Sequence, residues 1–423
     1  MTKRTDVIIV GAGHAGLCAS YFLKQKGIDH IVLERGEIGE SWLSQRWDSF
    51  VLNTANKLNV LPGIESKDPD DFGSAISLAR TMSDFVAINR LPVETGVNVI
   101  KVEKTAGAGT FSVAVDFEGI KRTYESHHLI IASGTQNKKV TSPLSRNINP
   151  HIFQLHSCEY RNPAVLPEGA VLVVGSGQSG CQIAEDLLDF GRKVYLSTSM
   201  VPRFPRFYRG KDIVDWLILS GFFELKTEEV TDPAVFNSKT PLAKGTDGGK
   251  KSLSLQALAK KGVVLVGKMI EMSDDCAHFS CDVEEKLHFA DNFSKNLKNL
   301  IDNFITEKNL AAPPPVYDME DEPYKKGEVD CSLNVIDFNK LQISTIIWAT
   351  GFTTDFSYLH LPALNDKGQP VHRQGISDIE GLYFLGVPWL RNRKSGILFG
   401  IREDAHSIVE KIYSLTTKNL ASF

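Results

Sequence analysis

Two short apolar runs, each followed at once by a glycine-rich turn, are the strongest pattern along the chain. Val7–Val10 precedes Gly11–Gly16, which reads GAGHAG, and Val171–Val174 precedes Gly175–Gly180, which reads GSGQSG. Both turns, termed fingerprints below, lead into a segment with helical spacing, so each predicts a strand, a turn and a helix in succession. Two such units predict an α/β chain with two Rossmann-like domains, each binding a dinucleotide.

The residues of a fingerprint have separate roles. The first glycine makes the tight turn, the second lets backbone approach a pyrophosphate, and the third lets the helix pack on the strand. The phosphates then lie at a helix N-terminus, where free N–H groups favour negative charge. The cofactor-binding residues predicted on this basis are Gly11, Gly13, Gly16, Gly175, Gly177, Gln178, Ser179 and Gly180.

The residue that ends the second strand of the first unit indicates which dinucleotide that unit binds. The apolar run Ile31–Leu33 ends at Glu34, and Arg35 follows. A carboxylate at this position accepts hydrogen bonds from ribose hydroxyls and repels a 2′-phosphate, which suits FAD or NAD. We therefore expect FAD in the first unit, with Glu34 and Arg35 at its ribose.

The second unit has Thr198 at the matching position, where it carries no acid. Arg203, Arg206 and Arg209 follow, and guanidinium groups recognise phosphates through paired hydrogen bonds. Thr198 and these arginines therefore predict NADPH in the second unit. The alternative is that the three arginines only form a solvated loop.

Weaker periodicities outline the remaining elements. Residues 111–117 and 123–125 predict a hairpin, and Leu129–Ala132 predicts a strand that ends in a turn at Gly134. Apolar residues recur at helical spacing over 293–304, which predicts an amphipathic helix.

The order of these elements predicts three segments. A strand over Ile343–Trp348 and a last helix from about Gly400 to Tyr413 follow the second unit. The predicted FAD domain covers 1–165 and returns over 341–423, and the predicted NADPH domain covers 166–340.

Composition narrows the class of function. At 423 residues the chain is too long for one ordinary hydrophobic core, so more than one domain is expected. The net charge of -4 does not favour binding to nucleic acid. No apolar run reaches the ~18–20 residues of a membrane helix, so we expect a cytoplasmic enzyme without a membrane partner. The 6 cysteines include no C-x-x-C pair and no metal-ligand spacing. This pattern argues against a metal site and against a reductase that passes electrons through a dithiol.

Three motifs accompany the fingerprints: Gln178-Ser179 in the second one, His156–Arg161 (HSCEYR) between them, and Trp348–Phe352 (WATGF) near the C-terminus. With them the chain resembles, over nearly its whole length, the class B flavin-dependent monooxygenases. The resemblance is strongest to the single-FAD branch of flavin monooxygenases and YUCCA-type enzymes. It implies a two-dinucleotide-binding flavoprotein fold with the NADPH domain inserted in the FAD domain. The F-x-G start of the family signature is absent, since Pro150 and Ile152 stand there.

The resemblance also implies which residues surround the flavin. An asparagine near the flavin orients the peroxide in resembling enzymes, and Asn53 holds the best position for it here. The alternative is that Asn53, like Asn56 and Asn59, is a turn residue. The Gly-Asp pair that binds the ribityl chain in many relatives is Gly386-Val387 here. The other residues expected at the cofactors are Trp42, Trp47, Gly134, Thr350, Gly351, Lys394 and Gly396.

The activity implied by the resemblance is an FAD- and NADPH-dependent monooxygenation. In resembling enzymes O2 forms a C4a-(hydro)peroxyflavin, and we expect oxygen transfer to the nitrogen or sulfur of a small metabolite. Baeyer–Villiger relatives carry Trp-Pro where this chain has Tyr160-Arg161. The alternatives are oxygenation or oxidative decarboxylation of a carbonyl substrate, an NADPH oxidase or flavin reductase that releases peroxide, and a flavin-bound module without turnover. The expected partners are the small substrate and O2, with a homodimer as the usual assembly.

Overall fold

Two parallel sheets, each built around a strand that precedes a fingerprint, organise the chain. The computed structural model describes residues 2–105, 109–243 and 248–421. Its strands are β1 (Thr2–Val10), β2 (His30–Leu33), β3 (Val93–Glu94), β4 (Val97–Lys104), β5 (Phe111–Phe117), β6 (Ile120–Ile131), β7 (Lys138–Lys139), β8 (Phe153–His156), β9 (Ala170–Val174), β10 (Val194–Ser197), β11 (Phe207–Tyr208), β12 (Lys211–Asp212), β13 (Val264–Val266), β14 (Met269–Met272), β15 (Cys276–Phe279), β16 (Val335–Asp337), β17 (Ile343–Trp348), β18 (Phe352–Thr353) and β19 (Leu382–Phe384).

The helices flank these sheets. They are α1 (His14–Gln25), α2 (Glu40–Ser44), α3 (Ala75–Asn89), α4 (Gln178–Asp189), α5 (Ile213–Leu219), α6 (Leu255–Lys261), α7 (Val283–Glu307) and α8 (Leu398–Ala421). Short 3₁₀ turns cover Asn56–Leu58, Pro143–Asn147, Pro163–Val165, Phe222–Glu224, Thr227–Glu229, Pro233–Asn237 and Met319–Asp321.

The first sheet depends on the long strand β6. Its order is β3-β2-β1-β6-β5-β4, and β19 also pairs with β6. The first half of β6 pairs antiparallel with β5, whereas Leu129–Ile131 pairs parallel with Leu382–Phe384 of β19. The second strand of the predicted hairpin, 123–125, and the predicted strand at 129–132 are therefore parts of one strand, β6.

The second sheet repeats the parallel order around its own fingerprint. Its strands run β13-β10-β9-β17-β8, and all four pairings are parallel. Two of these strands correct the predicted domain bounds, because β8 lies before residue 166 and β17 lies after residue 340. The chain therefore enters the second sheet earlier than predicted, and it returns to the first sheet only at β19.

Burial explains why these segments become strands and helices. Val7–Val10 of β1 and Ala170–Val174 of β9 are buried throughout, as expected for central parallel strands covered on both faces. Helix α8 packs its apolar stripe from Ile401 to Ile412 against α1. Helix α7 buries Leu287, Leu297, Ile301 and Ile305 on one face and is longer than the predicted 293–304.

The chain segment after β8 links the two units. His156 is buried and donates from Nε2 to the carbonyl of Gly351 at 3.0 Å. The Tyr160 hydroxyl donates to Asp186 on α4 at 2.5 Å, and Ser49 donates to the other oxygen of that carboxylate at 2.7 Å. The Asp186 carboxylate therefore joins Ser49, in the loop after α2, to Tyr160 of the HSCEYR motif.

We predict that Tyr160→Phe lowers the free energy of unfolding by ~1–3 kcal/mol, because the half-buried Asp186 carboxylate loses a donor. Urea denaturation followed by circular dichroism measures this change. Tyr317→Phe is the control, since Tyr317 is 74% exposed and its hydroxyl group is accessible to water. Equal changes in the two variants would contradict the proposed link.

Candidate dinucleotide-binding sites

The first fingerprint forms a cradle that only glycine can build. Gly11 has φ +106°, and a Cβ there would lie 2.6 Å from the Ala132 carbonyl oxygen. A Cβ on Gly16 would lie 1.9 Å from the Gly11 oxygen, so α1 could not approach β1. At Gly13 a Cβ would meet no described atom within 4 Å. The open space at Gly13 fits a pyrophosphate at the N-terminus of α1, so a dinucleotide fits this cradle.

The second fingerprint repeats this geometry. A Cβ on Gly175 would lie 2.5 Å from the Ala349 oxygen, and one on Gly180 would lie 1.8 Å from the Gly175 oxygen. Gly177 is open in the same way as Gly13, with no described atom within 4 Å of its added Cβ. Gln178 accepts a hydrogen bond from the Ala243 N–H at 2.9 Å, and Ser179 lies half-buried in the first turn of α4. A second dinucleotide therefore fits here.

Glu34 lies beside the first cradle, at the end of β2. Its carboxylate accepts hydrogen bonds from the N–H groups of Ala12, at 2.7 Å, and Gly36, at 3.0 Å. These bonds hold a buried acid next to the fingerprint, where a ribose of the bound dinucleotide would lie. Arg35, next in the chain, is exposed.

Thr198 at the matching position of the second unit is buried and donates to the Val266 carbonyl at 2.8 Å. The ammonium of buried Lys286, on α7, donates to the Thr198 carbonyl at 3.0 Å and pairs with Asp282 at 2.7 Å. Burial lowers the pKa of Lys286, and Asp282 opposes that change. In the sequence, a Lys four residues after an Asp indicates an ordinary surface pair on a helix, so nothing distinguishes Lys286 there.

The arginines after β10 correct the sequence prediction. Arg203 is buried and donates to the carboxylates of Asp291, at 2.7 Å, and Asp321. Arg206 has no exposed surface; it pairs with Asp212 and donates to the carbonyl of Asn53 at 2.9 Å. The prediction that Arg203 and Arg206 bind the 2′-phosphate is therefore wrong, because carboxylates already occupy both guanidinium groups.

Arg209, the third arginine, is also paired. It donates to Asp302 at 2.9 Å and to the Pro313 carbonyl at 3.0 Å, with 22% of its side chain exposed. The alternative of a solvated loop is equally wrong for the first two arginines, since both are buried in ion pairs.

The loop after α2 connects the two cores. Trp42 packs on the first core, whereas Trp47 is buried in the second. The Arg46 guanidinium lies over the Trp42 ring at 4.9 Å. Arg161 donates to the carbonyls of Ser44 and Arg46, and so fixes the loop from the second unit. The Trp47 indole N–H is buried and has no partner among the described residues.

The three asparagines of the next segment differ in their contacts. Asn59 is a turn residue: its amide donates to the carbonyls of Thr54 and Ala55, and its oxygen accepts from the Thr54 hydroxyl. Asn56 likewise donates to the Asp68 carbonyl. The side-chain oxygen of Asn53 is buried and has no hydrogen-bond partner in the described part of the chain. The turn alternative therefore holds for Asn56 and Asn59, and Asn53 offers a free acceptor.

The C-terminal loop returns to the first cradle at Gly386. Its φ is +77°, and a Cβ there would lie 3.1 Å from the Ala15 Cβ in the first turn of α1. The ammonium of Lys394 pairs with Glu224 at 2.8 Å and Glu403 at 2.9 Å. Gly396, at φ +81°, packs against the Pro388 backbone. The structure brings Gly386 to the fingerprint, whereas Lys394 is engaged by carboxylates.

The remaining predicted residues lie at the ends of the central strands. Gly134 follows β6 with φ +82°, and a Cβ there would meet no described atom within 4 Å. Thr350 donates to the Val140 carbonyl, and the Gly351 carbonyl accepts from His156. Thr350 and Gly351 therefore join the link between the units.

A buried acid lies under the C-terminal loop. Asp404 on α8 is 2% exposed, hydrogen-bonds to Ser395 and lies 3.9 Å from the Arg391 guanidinium. Burial raises the pKa of Asp404 to about 6 from the ordinary 3.8. The folded protein therefore binds this proton more tightly than the unfolded chain does.

No group of three or more His, Cys, Asp or Glu side chains in the described residues is arranged to hold a metal ion. Within the same ranges, no helix combines the length and the apolar character needed to cross a membrane. All six cysteines are free, and burial raises the pKa of the Cys18 and Cys181 thiols.

We predict that Gly180→Ala lowers the free energy of unfolding by about 1–3 kcal/mol, because its methyl group overlaps the Gly175 oxygen. Gly177→Ala is the matched variant and should change stability by less than ~1 kcal/mol. It should nevertheless raise the Kd for NADP⁺, because the methyl group occupies the phosphate space. Chemical denaturation and calorimetric titration test both; equal stability losses would contradict the cradle.

Asp404→Asn should raise the free energy of unfolding at pH 7.5 by up to ~3 kcal/mol, at 1.36 kcal/mol for each pKa unit. The wild type binds this proton more tightly when folded, so its stability falls as the pH rises from about 4 to 6. The gain should vanish below pH ~4, where the acid is protonated in both states. Urea denaturation across pH, with exposed Asp366→Asn as control, measures it; a gain independent of pH would refute the assignment.

Comparison with known proteins agrees with this geometry. The family described as pyridine nucleotide-disulphide oxidoreductase matches residues 8–229, which include both fingerprints. The uncharacterized oxidoreductase CzcO-like of Geobacillus kaustophilus is 29% identical over 416 residues, 97% of this chain and 99% of that protein. The probable indole-3-pyruvate monooxygenase YUCCA10 of Arabidopsis thaliana is 29% identical over 222 residues, 50% of this chain and 55% of that protein.

Solved structures show the same fold. A flavin-containing monooxygenase from Stenotrophomonas maltophilia has a TM-score of 0.63 at 18% identity, covering 98% of this chain and 99% of that one. OTEMO, solved in complex with FAD and NADP, has a TM-score of 0.58 at 14% identity, covering 99% and 87%. The predicted two-dinucleotide flavoprotein fold and the resemblance to flavin monooxygenases are confirmed, and the predicted cofactor pair agrees with them.

The chain therefore belongs to the pyridine nucleotide-disulphide oxidoreductase family.

Proposed function

We propose that this protein is an FAD- and NADPH-dependent monooxygenase that transfers one oxygen atom to the nitrogen or sulfur of a small metabolite. One observation carries the proposal: the loop that connects two dinucleotide cradles presents the buried, unpartnered oxygen of Asn53. A buried free acceptor in a loop that packs against both cores suits a residue that contacts a reacting group.

The two cradles would bind different cofactors. In the first, the Gly11–Gly16 turn would hold the FAD pyrophosphate and Glu34 its ribose. In the second, the Gly175–Gly180 turn would hold NADPH. When bound, FAD accepts hydride from NADPH and passes the electrons to O2. Overall, NADPH, a proton, O2 and substrate yield NADP⁺, water and the oxygenated substrate.

The preference for NADPH rests on charge at the end of β10. Thr198 is neutral where the first unit has an acid, so a 2′-phosphate meets no repulsion there. Ser199, next in the chain, donates its N–H to the Ser176 hydroxyl at 2.9 Å. The Ser176 hydroxyl of the second fingerprint accepts this bond, so the segment after β10 is tied to the fingerprint without a carboxylate.

Asn53 would contact the reacting oxygen, because the HSCEYR motif offers no other group for that role. His156 is fixed between Gly351 and the Cys158 N–H. Burial lowers the pKa of His156, so it is neutral near pH 7. The free cysteines do not pair, which argues against the disulphide chemistry in the family's name.

The direct test is incubation of the FAD-loaded protein with NADPH, O2 and panels of amines and thioethers. Mass spectrometry detects a gain of one oxygen atom, and a peroxidase assay measures hydrogen peroxide. Oxygenated product with little peroxide supports the proposal. Peroxide equal to the NADPH consumed, with every substrate, would instead establish an oxidase.

We predict that Asn53→Ala lowers the yield of oxygenated product per NADPH by about tenfold or more, since removal of a positioned polar group costs at least that much. Hydrogen peroxide should rise to balance the NADPH consumed. Asn56→Ala is the matched control, because Asn56 lies in the same loop and its side chain bonds only the Asp68 carbonyl among the contacts described. Equal loss of coupling in both variants would contradict a specific role for Asn53.

A further inference from the structure

Arg206 connects the second unit to the loop that carries Asn53. It lies after β10, in the segment 202–209, and its side chain has no exposed surface. One guanidinium nitrogen donates to the Asn53 carbonyl at 2.9 Å, and another pairs with Asp212. The guanidinium also lies 4.9 Å from the centre of the Phe72 ring. The charge is thus held on three sides.

The position of Arg206 is itself fixed. Its backbone N–H donates to the Ser252 hydroxyl at 2.7 Å, and its carbonyl accepts from the Ile213 N–H at 3.0 Å. Asp212, its partner, accepts the Val214 N–H at 2.8 Å at the start of α5. The guanidinium therefore approaches Asn53 from a rigid support.

The backbone of the loop around Asn53 is held at several other points, and the Asn59 amide bonds the carbonyls of Thr54 and Ala55. Leu52 donates to the Gly73 carbonyl at 2.8 Å, and Asn56 donates to the Asp71 carbonyl at 2.8 Å. Between these two anchors, Arg206 holds the carbonyl of Asn53 itself. A fixed carbonyl limits rotation of the peptide unit and so limits where the side chain can point.

An ion pair buried this deeply is a weak source of stability, because desolvation offsets most of the attraction. The planar guanidinium of Arg206 is instead suited to hold a carbonyl and a carboxylate at once, which a lysine ammonium cannot do with the same geometry. We propose that Arg206 is a positioning residue that fixes the Asn53 carboxamide in the loop that packs against both cores. This inference rests on the proposed role of Asn53.

Arg206→Lys keeps the positive charge and loses the fork, so it is the informative variant. It should raise the hydrogen peroxide released per NADPH by about tenfold or more, the scale on which a small misplacement of a catalytic group is felt. Lys298→Met is the control: Lys298 pairs with Asp321 at 2.7 Å in the same unit, and the contacts described for it do not include Asn53. Thermal unfolding and bound flavin are measured for both.

Hydrogen exchange gives a readout apart from turnover. The amide groups of residues 51–56 should take up deuterium faster in Arg206→Lys, because the loop loses an anchor. In Lys298→Met the same peptide should exchange as in the wild type. Unchanged exchange of this peptide in Arg206→Lys would overturn the inference.

A double-variant cycle separates the two proposals. If Arg206 acts through Asn53, Asn53→Ala with Arg206→Lys should give the same yield of oxygenated product per NADPH as Asn53→Ala alone, within about twofold. If the two effects multiply, the inference on Arg206 fails and the role of Asn53 stands. If Asn53→Ala alone leaves coupling intact, the proposed role of Asn53 fails first.

Discussion

Both cofactor cradles depend on one steric constraint, the contact between the third glycine of each fingerprint and the carbonyl of the first. A Cβ on Gly16 or Gly180 would lie less than 2 Å from that oxygen, so no other residue lets the helix approach its strand. This approach brings the N-termini of α1 and α4 to the ends of β1 and β9. Every later feature of the sites, from Glu34 to the loop carrying Asn53, is arranged around those two helix ends.

Much of this arrangement could be predicted from local sequence. The fingerprints, the acid at Glu34 and its absence at Thr198 follow from residues close together in the chain. The ion pairs of Arg203 and Arg206 could not be predicted, because a run of arginines does not show which carboxylates will pair with it. Arg203 meets Asp291 and Asp321 from distant segments, and only the fold brings them together. For the same reason the sequence assigned β17 to the wrong sheet: a short apolar strand does not reveal its neighbours.

The link between the units is polar and specific. His156, Tyr160 and Arg161 each bond a group that belongs to a different segment, and Arg206 adds a contact from the second unit to the loop of the first. Polar bonds of this kind depend on direction and distance more than apolar contacts do. They therefore define the relative placement of the two cradles, which hydride transfer between two bound dinucleotides requires.

The shared strand β6 has a consequence for the order of folding. The second half of β6 pairs with β19, which is synthesised only after all strands of the second sheet. The first sheet therefore cannot be completed until synthesis of the chain is nearly finished. Pairing of segments this distant in sequence closes a long loop and is slow. We expect the second unit, whose first and last strands along the chain are β8 and β17, to fold earlier. During synthesis, the exposed edge of β6 would then be the part of the chain most open to wrong pairing.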